Sequence, residues 1–297
     1  MNSKLLIVGC GDVGKRVLQQ LPANQHSVSV ISHQTSPQVH LQTYGVHIIH
    51  ADLDKSDNPT LLTTNNSHVF YFAPPTTTGI QDLRMQNFLN QINKDKPPKR
   101  IVYISTTGVY GNCNNEWVTE KTTLNPVTDR SKRRVHAESL IQKFCASTSC
   151  EYIILRVAGI YCFEKLPLNR LKEGIKVLKQ EIAPCSNRIH ADDLATCCIN
   201  AMFNNRVKND IFNVSDGTPS SMTEYFIQIA KMFNLPAPIE LDWKQAEETL
   251  SANMLSYLRE SKKINIQKLM IELNINLKYP TLKQGLEQCY SQHQHYS

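Results

Sequence analysis

Apolar residues in the first half of the chain fall in short runs, separated by stretches with helical spacing. Residues 4–8 form one such run, the signature of a parallel strand buried on both faces. Val13, Val17, Leu18 and Leu21 then recur at helical spacing until Pro22 stops the helix. Further strands are predicted around Val28, Val30 and Ile31, and over 46–49, 69–73, 101–104 and 152–155. Pro74-Pro75 end the fourth strand, and the loop Lys96-Pro97-Pro98-Lys99 introduces the fifth. Helices are predicted over 80–92 and 131–144. Strand alternating with helix implies a parallel sheet with helices on both faces. After Gly159 the pattern loosens. Helices are predicted at 191–203, 222–234, 244–258, 265–273 and 282–290, with short strands near 188–190 and 211–214. The tail from 291 to 297 is expected to fray.

Gly9-Cys10-Gly11-Asp12-Val13-Gly14 is a G-x-G-x-x-G between the first strand and an amphipathic helix. In such a loop Gly9 permits the tight turn, Gly11 lets the backbone approach a pyrophosphate, and Gly14 lets the helix pack closely on the strand. The pyrophosphate sits on free N–H groups at the positive end of the helix dipole. The fold class that follows is α/β: a Rossmann-type, doubly wound parallel sheet with a smaller, mainly helical C-terminal substrate lobe. Residues 1–160 are expected to bind a nicotinamide dinucleotide, with 187–215 adding elements to that domain. Residues 161–186 and 216–297 are expected to form the lobe.

The end of the second strand separates NAD from NADP, because an acidic residue there would bond the ribose hydroxyls. The sequence has Ser32-His33-Gln34 and no acid. Repulsion against a 2′-phosphate is removed, although no arginine grips one, and the reading leans to NADP over NAD. Asp52 and Leu53 follow the third strand, where adenine would lie; Asp52 could equally cap a helix. Ala73, Pro74 and Pro75 end the fourth strand, beside the path from ribose to nicotinamide.

Composition narrows the setting. Of 297 residues, 41% are hydrophobic and 20% charged, as in an ordinary globular protein. The formal charge of +6 suits an anionic ligand, but the one dense basic run, Lys132-Arg133-Arg134, is too short to imply nucleic acid. The nine cysteines contain no Cys-x-x-Cys pair and no zinc spacing, so no metal site is expected. Leu5-Leu6-Ile7-Val8-Gly9-Cys10 is too short for a signal peptide, and the expected location is the cytoplasm.

At the fifth strand the chain reads Ile104-Ser105-Thr106-Thr107-Gly108-Val109-Tyr110-Gly111. With the glycine loop, this resembles the extended branch of the short-chain dehydrogenase/reductase superfamily, which includes NAD-dependent epimerases and dehydratases. Leu155 to Tyr161, Ile189 to Ala195, Phe212 to Gly217 and the helix start at Ser221 resemble the same family in the same order. The resemblance implies that Thr106, five residues before Gly111, bonds the reacting oxygen. It implies an acid/base tyrosine followed four residues later by a lysine. Aligning Glu138 with the family's glutamate puts Arg130 and Arg134 at those positions. Arg134 could still hold a ribose or phosphate, but a guanidinium does not deprotonate near neutral pH. The chain thus resembles the atypical members of the superfamily, several of which lack the pair.

Tyr110 is the candidate to replace the lost acid, and Ser105 is expected to touch the cofactor. His190 reads as a structural hydrogen-bonder, and no base can be named that would make Cys162 a nucleophile. Nucleotide-sugar epimerases often place an arginine three residues before the isoleucine of the Ile-His motif; here that residue is Ser186, and Arg188 is expected to face elsewhere. A nucleotide-sugar substrate is therefore not expected. Arg156 and Arg188 could line the substrate side or form surface ion pairs. The resulting expectation is an NAD(P)-dependent oxidoreductase or epimerase/dehydratase-like enzyme acting on a small-molecule carbonyl or alcohol. The alternative is a catalytically inactive NAD(P)-sensing or scaffold protein. Neither nucleic acid nor a membrane is expected as a partner, and a homodimer is left open.

Overall fold

The computed structural model describes residues 3–22, 25–33, 44–55 and 62–296. Its centre is a seven-stranded sheet. The strands are β1 (Ser3–Val8), β2 (His26–Ser32), β3 (His47–His50), β4 (Ser67–Tyr71), β5 (Arg100–Thr106), β6 (Glu151–Val157) and β7 (Asp210–Val214). They lie in the order β7-β6-β5-β4-β1-β2-β3, and every pairing is parallel. The chain builds outward from β1 on one side, then crosses to place β4 on the other. The crevice beyond the carboxyl ends of β1 and β4 is thus the topological switch point, where open α/β sheets bind ligands.

Alternation along the strands feeds two layers of core. Leu5, Ile7, Val30, Phe70, Val102 and Ile104 pack against α1 (Asp12–Gln20) and α4 (Ala191–Phe203). Leu6, Val8, Ile31, Tyr71, Ile101 and Tyr103 pack against α2 (Leu83–Asn90) and α3 (Asp129–Ala146). Asp82 caps α2 and Thr128 caps α3 by accepting backbone N–H bonds, which fixes where each helix starts.

The lobe has its own core, with Leu171, Ile175, Tyr225, Phe226 and Leu286 packed between α5 (Met222–Met232) and α6 (Leu282–Tyr296). Three expectations are corrected. The predicted helix over 244–258 is split into Trp243–Thr249 and Ala252–Leu258, because Ser251 caps the second piece by accepting from the Met254 N–H. The last helix continues to Tyr296, through the tail expected to fray. Leu269, Leu273, Ile275 and Leu277 pack into the sheet's own core on the α1 and α4 side. Among the described residues, no helix is long and apolar enough to cross a membrane.

Candidate functional site

The glycine loop meets the end of β4. Gly9 has a φ of +85°, and a Cβ there would stand 2.7 Å from the backbone N of Ala73. Only glycine fits, because both the left-handed backbone and the close strand-to-strand approach forbid a side chain. Gly14 packs tightly, with the Cys10 sulfur 3.1 Å and the Gly9 carbonyl 3.3 Å from where its Cβ would be. Gly11 differs: it caps α1, and a Cβ on it would meet nothing within 4 Å. No side chain caps this helix. Its leading N–H groups therefore face an open cradle of the shape a pyrophosphate fills. Val13 packs into the core. Asp12 turns away from the cavity toward Arg16 (3.2 Å) and Lys165 (3.1 Å). Burial raises its carboxyl, but these two cations hold it below the usual carboxylate range.

A first cavity of about 250 Å³ opens beside the loop, lined by Gly9, Gly11, Ser32, His33, Asp52, Leu53, Ala73 and Pro74. These are residues the sequence singled out; Gln34 lies outside the described residues. Asp52 accepts the Asp54 N–H at 3.0 Å, closing a turn, and no helix forms within 51–55. Asp54 and Arg84 also line this cavity, without a sequence signal. Arg84 grips Asp54 through two parallel bonds of 2.6 and 2.7 Å, and also donates to the Pro74 carbonyl at 3.0 Å.

A second cavity, of about 570 Å³, adjoins the first at Pro74. Pro75, Thr106, Arg130, Arg134, Ser186 and Arg188 line one part of it; Tyr257, Glu260 and Lys262 come from the lobe. The Thr106 hydroxyl accepts the Gly108 N–H at 3.2 Å, which still leaves its proton to donate. Arg130 and Arg134 lie one turn apart on α3, so both reach this space. Arg134 is tied to the end of β5 by bonds of 3.1 Å to the Tyr103 hydroxyl and the Ile104 carbonyl. Arg130 donates to Asn253 and Ser256, each at 3.1 Å.

Several expectations need correction. Ser105 and Tyr110 line neither cavity. Parity along β5 sends Thr106 and Ser105 to opposite sides, and Ser105 donates to Glu138 at 2.5 Å. Glu138 pairs with Arg156 at 2.8 Å, both buried. Arg156 in turn donates to the Tyr110 hydroxyl at 3.0 Å, which donates to Asn213 at 2.7 Å. Burial pushes the Tyr110 phenol up to about 12, so its proton stays in this network. Arg156 is therefore structural and does not line the substrate side. Arg188 does line the second cavity, as do its neighbours Cys185, Ser186 and Asn187, so strand parity does not turn it away as expected. His190 is structural: its Nδ1 accepts the Asp192 N–H at 3.2 Å, capping α4, and its ring stands edge-on to Tyr161. Cys162 is buried, and burial together with Asp12 pushes its thiol up to about 11.

With this arrangement in view, residues 5–215 match the NAD dependent epimerase/dehydratase family. The chain belongs to that family. The match spans both glycine loop and Ile-His motif, and it makes the protein a nicotinamide-dinucleotide-binding member of the short-chain dehydrogenase/reductase type. Among solved structures, a functionally unknown conserved protein from Silicibacter pomeroyi is 25% identical with a TM-score of 0.80, covering 98% of this chain and 99% of its own. A UDP-glucose 4-epimerase from Thermotoga maritima is 16% identical with a TM-score of 0.79, covering 99% of each chain. A UDP-glucuronic acid 4-epimerase from Bacillus cereus, solved with NAD, is 18% identical with a TM-score of 0.76, covering 97% of this chain and 95% of its own. No curated protein is significantly similar in sequence.

Proposed function

We propose that the protein is an NADP-preferring family member that transfers hydride between the nicotinamide and a small alcohol or carbonyl. One observation carries this reading: a cavity built on the glycine loop runs at Pro74 into a second cavity lined by Thr106 and Arg134. A bound nicotinamide supplies the hydride acceptor or donor. Gly9 and Gly11 would hold the pyrophosphate, Asp52, Leu53 and Ala73 the adenosine end, and Arg134 the nicotinamide ribose. Ser32 and His33 would face a 2′-phosphate, and the nearby Asp54 is already taken by Arg84. The Thr106 hydroxyl holds the reacting oxygen. Arg130 stands where a tyrosine would exchange the proton and cannot do so; the alcohol proton passes to water or to a group of the substrate itself.

The position of Arg130 also favours a second reading, a dinucleotide sensor without turnover. Titration of the stripped protein with NADPH, NADH, NADP and NAD, read by nicotinamide fluorescence and thermal stability, tests the common part. Tighter binding of the phosphorylated pair supports the NADP reading; binding of none overturns both. Loss of NADPH absorbance with any carbonyl then separates enzyme from sensor.

A further inference from the structure

The charge of the second cavity exceeds what a dinucleotide uses. Arg188 leaves the short strand Arg188–His190 and stacks 3.9 Å over the Tyr225 ring. Its Nε and Nη2 are buried without a hydrogen-bond partner; Asp216 and Glu224 act on it electrostatically, but among the described residues it forms no ion pair within 4 Å. Burial pushes its pKa down. A buried donor left without a partner is costly, more so when charged, unless a ligand fills it. To the same cavity α3 supplies Arg130, Arg133 and Arg134. The first turn of α3 abuts the strand end that carries Thr106: the Ser131 hydroxyl is 3.0 Å from where a Cβ on Gly108 would stand. Lys262 is answered by Glu260 at 3.3 Å, whereas none of the four arginines that line the cavity, Arg130, Arg133, Arg134 and Arg188, forms an ion pair within 4 Å among the described residues.

We propose that this cavity takes a small substrate with two anionic groups, carboxylate or phosphate, one held by Arg188 and the other by Arg130 beside Thr106. The inference rests on reading this cavity as the substrate chamber. The planar guanidinium fork matches carboxylate and phosphate oxygens in pairs, which a hydroxyl-rich neutral molecule cannot reproduce. An anionic group at Arg130 lies next to the oxygen that Thr106 bonds, so the reacting carbon is close to an acid group: a hydroxy acid or its oxo counterpart. A neutral sugar would leave Arg188 buried and unpaired.

Calorimetric titration of the full chain, with and without NADPH, tests this with 2-oxoglutarate (two carboxylates), 3-phosphoglycerate (a carboxylate and a phosphate), UDP-glucose and glucose. The expected result is binding of at least one acid and none of glucose, weakened about tenfold or more by Arg188→Gln and by Arg130→Gln. The more strongly bound acid identifies the second anion. Arg130 is only half-buried, so its variant reports even where Arg188→Gln fails to fold. Binding of neither acid by protein that still binds NADPH overturns the proposal and leaves the dinucleotide reading standing. Tighter binding of UDP-glucose than of both acids, or unchanged acid affinity in folded variants, also overturns it. Acid binding by protein that ignores every dinucleotide sinks the hydride-transfer reading alone.

Discussion

The Arg130 guanidinium lies 3.7 Å from the centre of the Tyr257 ring, which ties α3 of the sheet domain to the short helix Ala252–Leu258 of the lobe. Cation–π contacts at partly exposed sites contribute about 0.5–1 kcal/mol. Tyr257→Ala is expected to lower stability by no more than about 1 kcal/mol, yet to free Arg130 to move and so weaken ligand binding in the second cavity several-fold. Urea denaturation alongside ligand titration checks the split; a large stability loss with unchanged affinity would make Tyr257 a purely structural contact.

Gly9 and Gly11 are expected to fail in different ways. Gly9→Ala drives a methyl into the Ala73 backbone at a positive φ, and a loss of roughly 1–3 kcal/mol is expected. Gly11→Ala points its methyl into open space at a φ of −75° and should leave the melting temperature of the unliganded protein nearly unchanged. It should nevertheless weaken dinucleotide binding by about tenfold or more, because the methyl occupies the cradle. Thermal melts of both variants, with and without NADPH, read the difference.

Glu138 is the hub of a buried network holding Ser105 and Arg156, and Arg156 holds Tyr110 in turn. Glu138→Ala leaves the Arg156 charge buried and uncompensated, and a loss of about 3–5 kcal/mol is expected. Tyr110→Phe removes only one arm of the network and should cost about 1–2 kcal/mol, with dinucleotide affinity unaltered. A large drop in dinucleotide affinity for folded Tyr110→Phe would return that residue to the active site.

Asp216 gives the protein a pH-dependent weakness. Burial pushes its carboxyl up to about 7, and one oxygen has no partner. A carboxyl whose pKa is raised on folding is neutral in the folded chain while the unfolded chain has already ionised. The penalty is absent below the unfolded value near pH 4, grows as pH rises to about 7, and is constant above that. Asp216→Asn should therefore match the natural protein in stability near pH 4 and exceed it at pH 8, by about 2 kcal/mol or more. Chemical denaturation at the two pH values checks this; equal differences at both would refute the assignment.

How much of this was written in the sequence depends on the range of the interaction. The glycine loop and the parallel strands were legible because periodicity and turn chemistry act over a few residues. Thr106 could be placed by its distance from Gly111, and Arg130 and Arg134 by helical spacing. Ser105 and Tyr110 could not be separated from the site, because a motif does not reveal which side of a strand end opens to the cavity. Arg188 could not be placed by parity, because the consecutive residues Cys185, Ser186, Asn187 and Arg188 all line the cavity. The pairing of Arg84 with Asp54 and the arrival of Tyr257, Glu260 and Lys262 are set by long-range packing, for which no local signal exists.

The placement of Leu269, Leu273, Ile275 and Leu277 in the sheet's core has a consequence for how the chain is made. Synthesis proceeds from the N-terminus, and all seven strands emerge before these four side chains do. Until they arrive, α1 and α4 cover that face of the sheet, but the part of its core beside β7 stays open to water. That half is therefore not a module that a ribosome could finish early: its seal comes from a segment that follows all seven of its strands.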